Sequence, residues 1–290
     1  MKFIFSIVCF CLFVSTLNCQ SAPTLSEFST PIVITDNRPF VEVKIKGETF
    51  HFVVDTGGYN LIELEAAQKL RLELTNPART DGAGEQTVET WTTTINSYSF
   101  SGKTFTNQRF NVLSLKSIKE GLNLPYLDGI IGYDFFGSSI LQVDYPNKKV
   151  SFLNSYEGKN GVPFTIYASH IPLIKVEIDG IESEFILDTG DRSNLTLSKH
   201  FSEKLFEKSQ YEISEEKITG YGIGGPIMAK TFNLKSLKFG AVEATNILTR
   251  IPNVKSGGFA RSSFYGSIGS GLLLKYKVTL DYRKKLIYFD

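Results

Sequence analysis

Apolar and polar residues alternate through Val41-Glu42-Val43-Lys44-Ile45, and the run closes on Lys46-Gly47. A wholly apolar stretch, Phe52-Val53-Val54, follows and stops at Asp55-Thr56-Gly57. Period-two alternation predicts a strand with one buried face, Gly47 predicts a tight turn, and the short apolar run predicts a second strand buried on both faces. The same pattern returns later in the chain. Leu173-Ile174-Lys175-Val176-Glu177-Ile178-Asp179-Gly180 leads into Phe185-Ile186-Leu187-Asp188-Thr189-Gly190. The interval from Gly47 to Asp55 equals that from Gly180 to Asp188.

A second pair of segments repeats in the same order. Gly129-Ile130-Ile131-Gly132 corresponds to Gly266-Ser267-Ile268-Gly269. At the same offset Val143-Asp144-Tyr145 corresponds to Leu280-Asp281-Tyr282, and Phe152 to Phe289. Pro146-Asn147-Lys148 and Arg283-Lys284 read as hairpin turns between these strands. Self-similarity of this kind marks a duplicated β domain. Helical pattern is scarce. Glu63 to Leu72 places Leu64, Ala67 and Leu70 on one face, and Ser198 to Phe206 is its weaker counterpart.

Organisation follows from these repeats and from the first residues. Lys2 and the apolar run Phe3 to Val14 read as a signal peptide over 1–19, too short to span a bilayer. An N-terminal linker is expected over 20–38, one lobe over 39–155 and a second over 161–290. Between the lobes, Glu157-Gly158-Lys159-Asn160 makes a polar, turn-prone link. All three cysteines, Cys9, Cys11 and Cys19, fall in or at the end of the leader. The expected mature part therefore has no disulfide or thiolate chemistry. Cys19 stands where a lipidated cysteine would follow a leader, although Asn18 and the position of Leu17 fit that pattern poorly. Both an anchored lipoprotein and a freely secreted or periplasmic protein remain open.

Composition narrows the picture further. With 23 Phe and 13 Tyr among 290 residues, the chain favours pleated, half-buried surfaces. A formal net charge of +1 without a basic block excludes an evident nucleic-acid partner. The three histidines, His51, His170 and His200, are not spaced as metal ligands, and no nucleophile elbow is present. Gly220 to Gly225 fits the letter of a dinucleotide fingerprint, but Glu215-Glu216-Lys217 precedes it and Pro226 follows, where a buried strand and a helix are needed. Gly102-Lys103-Thr104 reads as a hairpin turn, Trp91 as hairpin packing, and the sequon Asn194-Leu195-Thr196 as strand residues. No metal or organic cofactor is implied.

Two apolar strands that each end in Asp suit a reaction that needs paired carboxylates. When two carboxyl groups share a desolvated site, both cannot ionise, so one serves as base and the other as acid. Thr can hydrogen-bond across a twofold axis, and Gly lets two turns approach.

Val53-Val54-Asp55-Thr56-Gly57 and Ile186-Leu187-Asp188-Thr189-Gly190 resemble the active-site motifs of retropepsin-like aspartic proteases. Ile130-Ile131-Gly132 and Ser267-Ile268-Gly269 resemble the segment packed behind those loops. The run Gly220-Tyr221-Gly222-Ile223-Gly224-Gly225 is similar to a flap tip, with Asp81-Gly82-Ala83-Gly84 as its cruder partner. The likeness covers nearly all of 38–290 and is to the single-chain, two-lobed, bacterial-type form of the family.

That resemblance implies an all-β fold: two pseudo-twofold-related β-barrel lobes of six to eight strands around an active-site cleft. It implies an aspartic endopeptidase with Asp55 and Asp188 as catalytic pair. Thr56, Gly57, Thr189 and Gly190 would support the pair, and Gly82, Gly84, Tyr221, Gly222, Gly224 and Gly225 would form flaps over a peptide or protein substrate. One chain supplies both halves, so a monomer suffices. Where the family places Ala, Ser or Thr after the motif, this chain has Gly58 and Asp191. Gly58 offers no hydroxyl to Asp55, and Asp191 is expected either to face solvent or to press on the pair. A non-catalytic peptide-binding surface or periplasmic protein, and a precursor needing activation, are the rival readings.

Overall fold

A computed structural model describes residues 27–261, 263 and 265–290. The expected signal peptide, Cys19 and the start of the expected linker lie outside the described residues.

The first half contributes β1 (Phe28–Pro31), β2 (Val33–Thr35), β3 (Arg38–Ile45), β4 (Glu48–Val54) and β5 (Leu61–Glu63). Helix α1 (Leu64–Lys69) follows, then β6 (Thr75–Thr80), β7 (Val88–Phe100), β8 (Lys103–Leu113) and α2 (Lys116–Gly121). β9 (Gly129–Ile131), α3 (Tyr133–Phe136), β10 (Ile140–Asp144) and β11 (Lys149–Leu153) complete it. The second half runs β12 (Val162–Tyr167), β13 (Ile171–Ile178), β14 (Ile181–Asp188), β15 (Leu195–Leu197), α4 (Lys199–Lys208) and β16 (Lys217–Gly222). Then come β17 (Gly225–Phe239), β18 (Val242–Pro252), β19 (Gly266–Gly269), α5 (Ser270–Leu273), β20 (Lys277–Asp281) and β21 (Leu286–Phe289).

Local sequence explains these elements. Val41, Val43 and Ile45 are buried while Glu42 and Lys44 are exposed, as the alternation predicts. The turn after β3 has φ 51° at Lys46 and 84° at Gly47, and its repeat has 46° at Asp179 and 77° at Gly180. Two successive left-handed residues match the twist of a tight hairpin. Ser101 and Gly102 make the same kind of turn between β7 and β8, so the hairpin turn expected over 102–104 is centred one to two residues earlier, and Lys103 and Thr104 already belong to β8. Helix α1 is capped by Glu63, which accepts from the Ala66 amide, and α4 by Ser198, which accepts from the Phe201 amide. The latter helix, the weaker in its pattern, is the longer of the two.

The all-β expectation holds. An 8-stranded sheet has the order β2-β3-β4-β9-β5-β8-β7-β6, and β3 pairs also with β7. The second half repeats it as β12-β13-β14-β19-β15-β18-β17-β16, with β13 also on β17. These strands continue through β21, β20, β10, β11 and β1 into one 13-stranded sheet. Each half thus has its own eight-strand order, and the shared strands join the two. Val143 of β10 opposes Val278 of β20. β1 and β2 fall inside the stretch expected as a linker. Together they do what β12 does alone in the second half, pairing with the shared ribbon on one side and with the half's own sheet on the other. One contiguous apolar core, including Phe100, Phe135, Phe152, Phe185 and Phe232, runs through both halves.

Candidate active site

β4 and β14 end side by side in space. Each lies next to a parallel strand from its own half, β4 on β9 and β14 on β19. Asp55 follows β4 with its amide on the Ile131 carbonyl at 3.0 Å, and Asp188 closes β14 opposite Gly269. Gly132 and Gly269 begin the short helices α3 and α5. The first amides of those helices donate to the carbonyls of Gly58 at 2.9 Å and Asp191 at 2.7 Å. The repeated Ile-Gly segments therefore brace the loops that carry the aspartates.

Thr56 and Thr189 lock the loops across the pseudo-twofold axis. The Thr56 hydroxyl donates to the Leu187 carbonyl at 2.8 Å and accepts the Thr189 amide at 3.1 Å. The Thr189 hydroxyl donates to the Val54 carbonyl at 2.7 Å and accepts the Thr56 amide at 3.0 Å. Both threonines are fully buried, so every one of these polar groups needs its partner. The glycines come next. A Cβ added to Gly57 would stand 2.5 Å from Cγ of Asp188, and one on Gly190 would overlap Cγ of Asp55. Each half's glycine thus faces the other half's carboxylate, a reciprocal approach that no larger residue permits.

The two carboxylates interact directly. Gly57 donates to Asp55 Oδ1 at 2.7 Å, while the amides of Gly190 and Asp191 donate to Asp188 Oδ1 at 2.9 and 3.0 Å. Desolvation raises the pKa of both carboxyls. Asp188 lies well above the carboxylate range, pushed first by desolvation, then by the charges of Asp55 and Asp191. One proton is therefore shared by a coupled pair.

Residues 41–135 match the model of a family described as aspartyl protease. The match supports the likeness of this segment to retropepsin-like aspartic proteases. The match takes in the first Asp-Thr-Gly and Ile130-Ile131-Gly132; the second half enters through the duplication described above. Comparison with curated proteins found no match.

The two Gly-rich hairpin tips expected as flaps meet each other. The Gly84 amide donates to Ile223 O at 2.8 Å, and the Gln86 amide to Gly224 O at 3.0 Å. Gly224 and Gly225 have φ of 93° and 105°, which explains glycine at the hairpin corner. Gly258, from the segment before β19, donates to Gly82 O at 2.8 Å. Beneath lies a cavity of about 550 Å³ with Asp55 and Asp188 in its wall. Gly82, Tyr221 and Gly222 line it, whereas Gly84, Gly224 and Gly225 serve the contact between tips. The Tyr221 ring packs on Gly121 of α2, so the second flap rests on the first half.

Sequence reasoning missed three contributors. Arg38 Nε donates to the Gly190 carbonyl at 2.7 Å, and His170 Nε2 lies 3.1 Å from the Gly57 carbonyl. Each half thereby supports the other's aspartate loop, from the entry to β3 in one case and to β13 in the other. Nothing in the local pattern singles out either residue. The third is Arg250, which pairs with Asp191 at 2.9 Å. The Asp191 carboxylate also accepts from the Ser193 amide and hydroxyl, and from the hydroxyls of Thr196 and Ser267. Although burial opposes its ionisation, Arg250 and these bonds leave its pKa below the ordinary carboxylate value. So the side chain does not face solvent, yet its charge does reach Asp188. Gly58, at the matching place, leaves room for little more: a Cβ there would lie 3.1 Å from Asp55 Oδ2. Among the described residues, no group of three or more His, Cys, Asp or Glu is placed to hold a metal.

Proposed function

We propose that the chain is an aspartic endopeptidase in which Asp55 and Asp188 hydrolyse a peptide bond held beneath the flaps. The reciprocal approach of Gly57 to Asp188 and Gly190 to Asp55 carries this reading, because it leaves the two carboxyls facing one space. Ionised Asp55 takes a proton from water as its oxygen bonds to the scissile carbonyl carbon. Asp188 gives its proton to the carbonyl oxygen, forming a gem-diol. The C–N bond then breaks while the nitrogen receives a proton from the dyad and the acid product keeps both oxygens. Thr56 and Thr189 keep the carboxyls in place, and Arg38 and His170 hold the loop carbonyls. One chain supplies both carboxyls, so a monomer suffices.

The test is turnover of a diverse peptide library across pH 3 to 8. Asp55→Asn and Asp188→Asn should each abolish cleavage while the fold survives. Near-normal turnover in either variant defeats the dyad, and wild type that binds peptides without cutting them supports the non-catalytic reading.

We also propose that the chain is exported through its N-terminal apolar segment, either released or anchored at Cys19. No helix among the described residues is long and apolar enough to cross a membrane. Intact mass of the native protein tests this: a diacylglycerol adduct on Cys19 marks the anchored form. A cytosolic chain that still begins at Met1 defeats export.

A further inference from the structure

The duplication lets the two sides of the cavity be compared position by position. In the first half, Leu61 pairs with Ile130 on one neighbour and with Asn111 on the other. In the second, Thr196 pairs with Ser267 and with Arg250 in the same way. Thr196 therefore replaces Leu61, Ser267 replaces Ile130, Arg250 replaces Asn111, and Asp191 stands for Gly58. The two walls beside the dyad have opposite chemistry.

On the first-half side the cavity meets Val53, Leu61, Leu113, Leu115, Ile118 and Leu127, which pack together as one buried apolar cluster. Tyr221 and Ile223 of the second flap close over that cluster. A large apolar side chain placed there gains by removal of its surface from water. None of these cluster residues carries a charge, so burial of a charged substrate side chain among them is unfavourable.

On the second-half side the cavity meets Arg38, Arg192, Arg250 and Arg261. Asp36 pairs with both Arg38 and Arg192, and Asp191 with Arg250. Guanidinium groups thus outnumber their carboxylate partners on this side. The group is electrostatically connected: Asp191, Asp188 and Arg192 all act on Arg38. Arg250 is held in one orientation, Nε on Thr196 Oγ1 at 2.8 Å, Nη2 on Asp191, and the Phe259 ring 5.6 Å over its centre. Its Nη1 lies beneath the flap at Gly220. Arginine donates hydrogen bonds and accepts none. A substrate group on this side must therefore accept, and a carboxylate does so with shorter and stronger bonds than an amide.

Resting on the reading of the site as a peptidase cleft, we propose that the enzyme selects an asymmetric scissile pair. A large apolar side chain sits on one side of the bond, in the Leu61–Ile118 wall. An acidic side chain sits on the other, against Arg250, Arg192 and Arg38. Glutamate and aspartate are preferred there, glutamine and asparagine follow, and lysine or arginine is rejected by like charge.

The experiment uses matched peptides in which Phe is fixed on one side of the central bond and the other side is Glu, Gln, Leu or Lys, made in both orders. Cleavage rates are measured with wild type and binding constants with Asp188→Asn. In one of the two orders Glu is expected to exceed Lys by about tenfold or more in both measurements. Asp191→Gly combined with Arg250→Asn installs the first half's residues in the second and leaves no buried charge unpaired. The Glu-to-Lys ratio should fall severalfold in that variant, and also in Arg192→Gln, where Asp36 keeps Arg38 as partner. A wild-type ratio near one in both orders, or a ratio that neither variant moves, overturns the assignment. Selective binding of the Glu peptide without any cleavage upholds the subsite and removes the peptidase reading. Selective cleavage of Leu peptides does the reverse.

Discussion

Asp191 and Arg250 form a buried ion pair, Oδ1 to Nη2 at 2.9 Å, one residue beyond the second Asp-Thr-Gly. Removal of one member of such a pair leaves the other charge unpaired, at about 3–5 kcal/mol. Asp191→Ala is therefore expected to destabilise the fold by that order. Urea unfolding at pH 7 measures it. Because the Asp191 pKa is depressed, its contribution is present above the unfolded value of about 3.9 and is lost as pH falls through the folded value. The gap between wild type and variant should accordingly narrow in acid; a gap independent of pH would show that packing, not charge, is responsible.

Asp188 has the opposite sign. Its folded pKa is raised well above the ordinary value, so the folded state holds a proton that the unfolded state releases. Stability from this group is full below about pH 3.9 and declines as pH rises through the folded value. Asp188→Asn keeps the shape and removes the titration. Its melting temperature should exceed that of wild type at pH 7 and match it near pH 3, while cleavage is lost. Equal melting curves at both pH values would argue against a protonated Asp188.

The raised values of both carboxyls also set the activity profile. The working form is the singly ionised pair, bounded below by protonation of the dyad and above by its second ionisation. Both limbs of kcat/KM against pH should lie higher than for two unperturbed carboxyls. An acidic limb at or below the ordinary aspartate value would contradict the desolvation of the site.

Thr189→Val removes the donor to Val54 O and the acceptor for the Thr56 amide while volume is nearly kept. An unsatisfied buried group costs about 1–3 kcal/mol. The variant should lose that much stability and a larger share of kcat than of KM, since the dyad and not the apolar wall is displaced. Chemical unfolding and steady-state kinetics test both parts. Unchanged kcat would mean the cross-axis bonds do not position the carboxyls.

Gly190→Ala forces a methyl group into Asp55. Displacement by about 1 Å can cost about 10²-fold in rate, and kcat/KM should drop by at least that order. Gly180→Ala, at a positive-φ turn with open space around it, should cost stability and leave the reaction alone. Comparison of the two variants separates backbone strain from intrusion on the site.

Much of this protein was legible along the chain. Alternation at Val41 to Ile45, the Lys46-Gly47 and Asp179-Gly180 corners and the two apolar runs into Asp-Thr-Gly are local signals, decided by side-chain period and backbone sterics within a few residues. The duplication, visible as matched intervals, places Asp55 and Asp188 at equivalent positions of the two halves. The strands Phe28–Pro31 and Val33–Thr35 escaped notice because they are short and acquire order only from β11 and β3.

What Asp191 does was decided by the tertiary structure alone. Its sequence neighbours leave solvent exposure and pressure on the dyad equally open; Arg250, reached through the β15–β18 pairing, closes the choice. The ties from Arg38 to Gly190 and from His170 to Gly57 likewise join residues more than a hundred positions apart. The sequence by itself determined the strands, the repeat and the two aspartates, since period and turn chemistry are local. Only the tertiary structure decided which charges are buried together and which wall of the cavity is apolar, because burial and pairing are properties of packing between distant segments.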